Sequence, residues 1–287
     1  MKFLQTLLII FVACHFDGFA QTLSLQKIAQ FADTLAKNKN YDAAIKEYQR
    51  TIFFGDTTNL SEYYQKIADA KFLLQDYPSA IKFYDLAFFS TKSDSLKNEL
   101  ILSKVKSLLL TQNYYQAIVD LFNISGAQNK FVIQHRDLYF GIAYFGIDSF
   151  KLSQKYFLKC VEPNSVATQN LKNLFSHDKK LYKPNLKTAF YLSAFAPGMG
   201  QLYAGDVKDA INSLALTGGL MYLGIKMTQW YTLFDAVLTV GPWFQRYYQG
   251  GFIHAKQIAI EKKANNRNKY FNDIISIISS NTEITKK

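Results

Sequence analysis

Residues Asn40 to Phe54 read NYDAAIKEYQRTIFF. A polar residue leads, then an aromatic at Tyr41, a small side chain at Ala44 and a large one at Tyr48. Steps of three and four stay on one face of a helix. The pattern returns in DYPSAIKFYDLAFF (Asp76 to Phe89), NYYQAIVDLFNI (Asn113 to Ile124) and DSFKLSQKYFLKCV (Asp148 to Val161). The aromatics are Tyr41, Tyr77, Tyr114 and Phe150, spaced by 36, 37 and 36 residues. The small residues are Ala44, Ala80, Ala117 and Ser153, and the large ones Tyr48, Tyr84, Leu121 and Phe157.

An apolar-periodic segment precedes each copy: Ile28 to Leu35, Tyr64 to Leu74, Ile101 to Leu110 and Leu138 to Tyr144. The reading is helix, turn, helix, four times over. The small residue lets the paired helices approach, and the large one fills the space beside them. One hairpin cannot bury its apolar faces alone, so stacking is expected.

Over about residues 24 to 165 these stretches resemble tetratricopeptide repeats. FGIAYFGIDSFKLSQKYF keeps Gly141 and Tyr144 where that family has its packing Gly and Tyr. The period exceeds the family's usual one by two or three residues, and the motif's Trp and terminal Pro are mostly missing. The resemblance implies an all-α solenoid of helical hairpins that binds a protein or peptide partner. The first helices of successive hairpins would line a concave groove. Carried over residue by residue, that groove takes Asp33 and Lys37 from the first repeat, and Gln65, Asp69 and Phe72 from the second. The third gives Leu102, Lys106 and Leu109, and the fourth His135, Ile142 and Phe145. Such a mix suits an extended peptide or a partner helix with an apolar anchor. The competing reading is that Phe72, Leu109 and Phe145 simply pack.

Beyond the repeats the character changes. Lys172, Lys179, Lys180, Lys183 and Lys187 form a basic stretch against Asp178 alone. Nine of the 14 glycines then fall between Gly198 and Gly251, and charge nearly vanishes from Thr188 to Ile253. Basic residues resume at Lys256, Lys262, Lys263, Arg267 and Lys269. A glycine-rich apolar block between basic flanks points to a small helical membrane domain whose flanks meet anionic lipid. Ala210 to Ile225 and Met227 to Phe244 are read as a hairpin turning at Lys226 to Gln229, with a spanning pair ranked first, an interfacial seat second and a surface globule third. Asp235 would face the first of these helices, where Asn212 or Thr217 could satisfy it.

The stretch AFAPGMGQLYAGD, Ala194 to Asp206, introduces that block. Pro197 ends a short helix, and Gly198, Gly200 and Gly205 permit backbone shapes other residues avoid. Asp206 or Asp209 is placed to cap the helix that follows. The motif residues Pro197, Gly198, Gly200, Gln201, Tyr203 and Gly205, with RYYQGGFIHAKQ (Arg246 to Gln257), resemble uncharacterised small bacterial membrane-associated domains carrying a Pro-Gly-x-Gly-Gln-x-Tyr turn. That resemblance implies a location and no activity. A phosphate-cradling loop is disfavoured, because no strand–helix alternation surrounds the glycines and no Lys-Ser/Thr follows.

The chain opens MKFLQTLLIIFVACHFDGFAQT, the layout of a secretory signal peptide with cleavage after Ala20. An uncut anchor and lipidation at Cys14 are the weaker alternatives. Cys160 is then the sole thiol, and no His or Cys spacing supports a metal site. No nucleophile context appears. The net charge of +11 would fit nucleic acid, but the lysines flank an apolar block rather than interleaving with aromatics.

The expected organisation is a signal peptide over 1–20, a tetratricopeptide-like domain over 21–170 and a basic linker over 171–187. A hydrophobic helical membrane-associated domain follows over 188–255, and a basic helical tail over 256–287. The expected role is an exported, membrane-tethered scaffold in the envelope of a Gram-negative bacterium, with periplasmic repeats and the C-terminal domain at the inner membrane. A protein partner and anionic lipids are expected, with no enzymatic activity, cofactor, nucleic acid or small-molecule substrate. The alternative is a component of protein insertion, transport or envelope assembly, in which the C-terminal helices act and the repeats recruit clients.

Overall fold

A computed structural model describes residues 25–55, 59–124, 126, 129–176 and 178–281. The stretch read as a signal peptide, with Cys14, lies outside these residues. Among the described residues the protein is all-α. It divides into two compact units, Met1–Cys160 and Val161–Lys287.

The first unit comprises α1 (25–37), α2 (Tyr41–Phe53), α3 (Leu60–Leu73), α4 (Tyr77–Ser90), α5 (Asp94–Leu110), α6 (Tyr114–Phe122), α7 (Lys130–Gly146) and α8 (Phe150–Phe157). One turn geometry closes four helix pairs. Lys39, Gln75, Gln112 and Asp148 take left-handed φ values of 61°, 61°, 58° and 63°. The next amide then donates back to a carbonyl in the last helical turn: Asn40 to Leu35, Asp76 to Lys71, Asn113 to Leu108 and Ser149 to Tyr144, at 2.8–2.9 Å. This is the bonding of a left-handed helix stop. The second helix begins immediately, at Tyr41, Tyr77, Tyr114 and Phe150.

Ala44, Ala80, Ala117 and Ser153 are fully buried. Phe157 lies so close to Gly141 that an added Cβ would meet its ring at 2.6 Å. Tyr114 does the same to Gly146 at 2.5 Å, and so sets α6 against α7. The helices pack in chain order, α2 on α3, α3 on α4 and onward to α8, with α5 also on α7. Lys104 bridges Asp85 at 2.6 Å and Asp120 at 3.0 Å, tying α5 to both α4 and α6. Burial works against the Lys104 charge, but the two carboxylates outweigh it and hold its pKa above the ordinary lysine value.

The second unit holds α9 (Val166–Ser176), a 3-10 turn (Asp178–Tyr182), α10 (Leu186–Phe195), α11 (Met199–Ala204), α12 (Val207–Trp230) and α13 (Leu233–Asn281). The stretch read as a basic linker carries Leu171, Phe175 and Leu181, all buried, and α9 and the 3-10 turn pack on α13. Tyr270 donates to the Leu174 carbonyl, and Arg267 Nε donates to that of Leu181 at 3.2 Å.

Three expectations for this unit are corrected. Among the described residues no helix is long and apolar enough to cross a membrane, so the spanning hairpin is not found. Lys208, Asp209 and Lys226 bound the apolar part of α12, and Gln245 and Arg246 end that of α13. The turn falls at Tyr231–Thr232, not at Lys226 to Gln229. Asp235 does not face α12. It is exposed, takes the Thr232 hydroxyl at 2.6 Å and the Thr232 amide at 3.2 Å, and its own amide donates to Thr232 Oγ1 at 3.2 Å. This reciprocal cap starts α13. The helix then continues through Pro242 and past residue 255 without a break.

Candidate functional site

The Pro-Gly turn is built as a bracket. Gly198 sits at φ 89°, and an added Cβ would lie 2.5 Å from the Ala210 carbonyl oxygen on α12. At Gly200 an added Cβ would lie 1.9 Å from the Ala189 carbonyl oxygen on α10, closer than any side chain allows. Ser193 Oγ, buried, accepts from the Gly200 amide at 2.9 Å and donates to Gln201 Oε1 at 2.5 Å. Gln201 Nε2 donates in turn to the Gly251 carbonyl at 2.8 Å, reaching α13. Tyr248 of α13 donates to the Ala194 carbonyl of α10. Tyr203 Oη accepts from the Asn185 amide at 3.1 Å. Gly205, at φ 91°, ends α11, and Asp206 Oδ1 then caps α12 by accepting from the Asp209 amide at 3.0 Å. Pro197 stands between α10 and α11. The motif therefore does positional work: it locks α10, α11, α12 and α13 together with little room for substitution.

The groove candidates sit on α1, α3, α5 and α7, and side-chain contacts bring several together. Lys66 of α3 pairs with Asp33 of α1 at 2.8 Å, and with Glu62 at 2.8 Å. Lys106 of α5 lies 4.6 Å from the ring centre of Phe72 on α3. Lys37, Asp69 and Lys106 are exposed, Gln65 is half-buried, and Leu102 is buried beside Ile101 and Val105. Leu109 packs partly against that same core. On α7, His135 Nδ1 is 2.9 Å from the Phe131 carbonyl oxygen, and the His135 ring lies against Phe131. Ile142 is half-buried, and Phe145 stacks edge-on against Phe150.

Two polar pairs inside the hairpins were not anticipated. Tyr48 donates to Asp33 at 2.6 Å, and Tyr84 donates to Asp69 at 2.6 Å. Both span 15 residues, and the second lies one period after the first. The signal was present, since Asp33 and Asp69 share the spacing of Tyr48 and Tyr84. The two carboxyls diverge in acidity. Burial raises Asp33, but Lys66 and Tyr48 together outweigh it and hold its pKa below the usual carboxylate value. Among the described residues no lysine forms an ion pair with Asp69. The protein mass around it, more than Tyr84 or the distant Lys106 can offset, pushes its pKa up although solvent reaches it.

The remaining chemistry is sparse. Cys160 is buried, and burial foremost pushes its thiol up to about 12, far from a reactive thiolate. Among the described residues no cluster of His, Cys, Asp and Glu could hold a metal ion. The most unusual surface is apolar: α12 and the first third of α13 expose Ile211, Leu214, Met221, Phe234, Leu238 and Trp243. No protein family, curated protein or solved structure matches the chain.

Proposed function

We propose that the chain is an exported, tetratricopeptide-like scaffold of the bacterial envelope, held at a membrane by its second unit and binding a protein or peptide partner along its first. The observation that carries this reading is the fourfold recurrence of one left-handed turn, at Lys39, Gln75, Gln112 and Asp148, with a buried small residue at the same place after each. Side-chain contacts join α1 to α3 and α3 to α5, α5 packs on α7, and these helices carry exposed charge. Exposed charge beside half-buried aromatics suits an extended peptide with an apolar anchor. Basic residues flanking an apolar block suit an anionic membrane surface.

The test is site-specific photocrosslinking in cells. Crosslinkers at Lys37 and Lys106 should capture one common partner. Crosslinkers at Lys82 and Tyr115, exposed on α4 and α6, should not. Equal capture from all four positions would refute groove binding.

The same exposed apolar hairpin favours a second reading, in which α12 and α13 act in insertion, transport or envelope assembly and the repeats recruit clients. Rescue of a deletion strain by the second unit without the first would select it.

A further inference from the structure

The antiparallel pair formed by α12 and the start of α13 buries little of itself. Along α12 only Ala210 and Thr217 are buried, and along the start of α13 only Ala236 and Val240; the antiparallel register sets Gly224 beside Val240 and Ser213 beside Gly251. Outside that seam α12 exposes Val207, Ile211, Leu214, Met221 and Ile225, spaced by four, three, seven and four residues along one stripe. Its partner exposes Leu233, Phe234, Val237 and Leu238. An apolar groove of about 310 Å³ runs between the two helices, from Leu220 to Thr228 and from Leu233 to Phe244. Unpartnered apolar surface on this scale is rare on a soluble monomer and marks an interaction face.

We infer that this hairpin lies in one leaflet of a lipid bilayer, parallel to the surface, and that lipid is what covers it. The inference rests on the membrane tether proposed above and names the element that makes it. Two observations select lipid over a protein. A partner helix seated on the Val207 to Ile225 stripe would leave Leu216, Leu223, Trp230 and Trp243, all exposed, in water. Lipid chains can cover them together. Charge is also complementary: Lys183, Lys187 and Lys208 precede the apolar part, and Lys256, Lys262 and Lys263 follow it, all from the same unit. Anionic headgroups attract such a border.

Length and polarity set the pose. Ala210 to Ile225 rises about 24 Å and Leu233 to Phe244 about 18 Å, against a hydrocarbon core of about 30 Å. Insertion tip-first would strand Lys226 and Asp235 in hydrocarbon, at a cost lipid does not return. In the flat pose the polar residues have an exit. Asp235, Thr239, Arg246 and Gln249 of α13 are exposed and fall on one helical stripe, and Lys208 stands at the very start of α12, where its long side chain can reach out of the chains. These can face the headgroups while the apolar stripes face the chains.

The chain has two tryptophans, Trp230 and Trp243, and both lie in the hairpin, 70% and 53% exposed. Fluorescence excited beyond the tyrosine absorption band therefore reports this element alone. The full mature chain is titrated with vesicles of phosphatidylglycerol and phosphatidylethanolamine. The expected result is a blue shift, shielding from iodide, and stronger quenching by a nitroxide near the headgroup than by one at the chain end. Leu214→Glu with Met221→Glu, both exposed, should keep the circular dichroism spectrum and weaken vesicle binding about tenfold or more. Strongest quenching from the bilayer centre would overturn the flat pose. Vesicle binding with both tryptophans still open to iodide would overturn the inference and leave the tether to the basic flanks. A blue shift on dimerisation without lipid would replace lipid by a second copy. Failure to bind vesicles at all would remove the tether and the inference together.

Discussion

Single residues in this protein carry their consequences in geometry that can be read directly. Gly200 has the Ala189 carbonyl oxygen where its Cβ would be, at 1.9 Å, whereas Gly218, also helical, has nothing within 4 Å. The backbone of α10 cannot yield as a flexible side chain could. Gly200→Ala should therefore cost about 3 kcal/mol or more, at the top of the overpacking range. Gly218→Ala should stabilise by about 0.5–1 kcal/mol, because alanine is the better helix former. Chemical denaturation of the two variants measures both, and similar values for the pair would refute the bracket. Asp33 and Asp69 make a second contrast, in pH. The Asp33 pKa is lowered from 3.8, so its contribution is present above that value and is lost as pH falls through the lowered pKa. The Asp69 pKa is raised from 3.8, so its contribution is present below that value and is lost as pH rises through the raised pKa. Asp33→Asn should thus lower stability at neutral pH, and Asp69→Asn should leave it unchanged or raise it. Solvent reaches both carboxylates, so the effects stay small. Melting each variant at pH 3 and pH 7 tests the signs, and like shifts from both substitutions would contradict the pairing.

At the scale of the element, the turn residues are the informative ones. Gln75 holds φ 61° without being glycine. A non-glycine residue pays about 1–2 kcal/mol for that conformation. Gln75→Gly should recover part of it, by up to about 1 kcal/mol, and Gln75→Val should lose stability by a similar amount. Ala80, fully buried where α4 meets its neighbours, should resist enlargement: Ala80→Leu is expected to cost about 1–3 kcal/mol. Unchanged thermal melts in either case would contradict the register. That register was legible in the chain because an aromatic at Tyr41, Tyr77, Tyr114 and Phe150 is followed each time by a small and then a large residue at steps of three and four, and each aromatic opens a helix. The left-handed turns were not legible, since Lys39, Gln75, Gln112 and Asp148 share no side-chain chemistry. What repeats there is backbone bonding. The Ser193–Gln201–Gly251 chain was hidden for a different reason: its partners lie up to 50 residues apart and follow no period. Asp235 misled because a carboxylate amid apolar residues reads as buried, until the break at Tyr231–Thr232 makes it a capping residue.

For the molecule as a whole, the two units divide the physics. In the first, apolar residues find one another: the cores around Ile67, Leu100 and Val105 are closed by neighbouring hairpins. In the second, α13 is the common support for α9, α10, α11 and α12, yet much of the apolar surface of α12 stays outside. A surface of that kind and a border of lysines would make separable contributions to the proposed membrane attachment. Lysine attraction to anionic headgroups decays over about 8–10 Å at ordinary ionic strength and is largely screened near 1 M salt. Apolar burial is not weakened by salt in this way. If lysines alone held the protein, a wash in 1 M salt would release it. If the hairpin is seated in lipid, the protein should stay in the membrane pellet through that wash and leave only with detergent. The Leu214→Glu, Met221→Glu variant then becomes the decisive comparison, because it removes apolar contact without touching a lysine. It should still sediment at low salt and should be released at high salt. Release of the unaltered protein by salt alone would show attachment to be electrostatic, and retention of the variant would show that some other surface holds the chain.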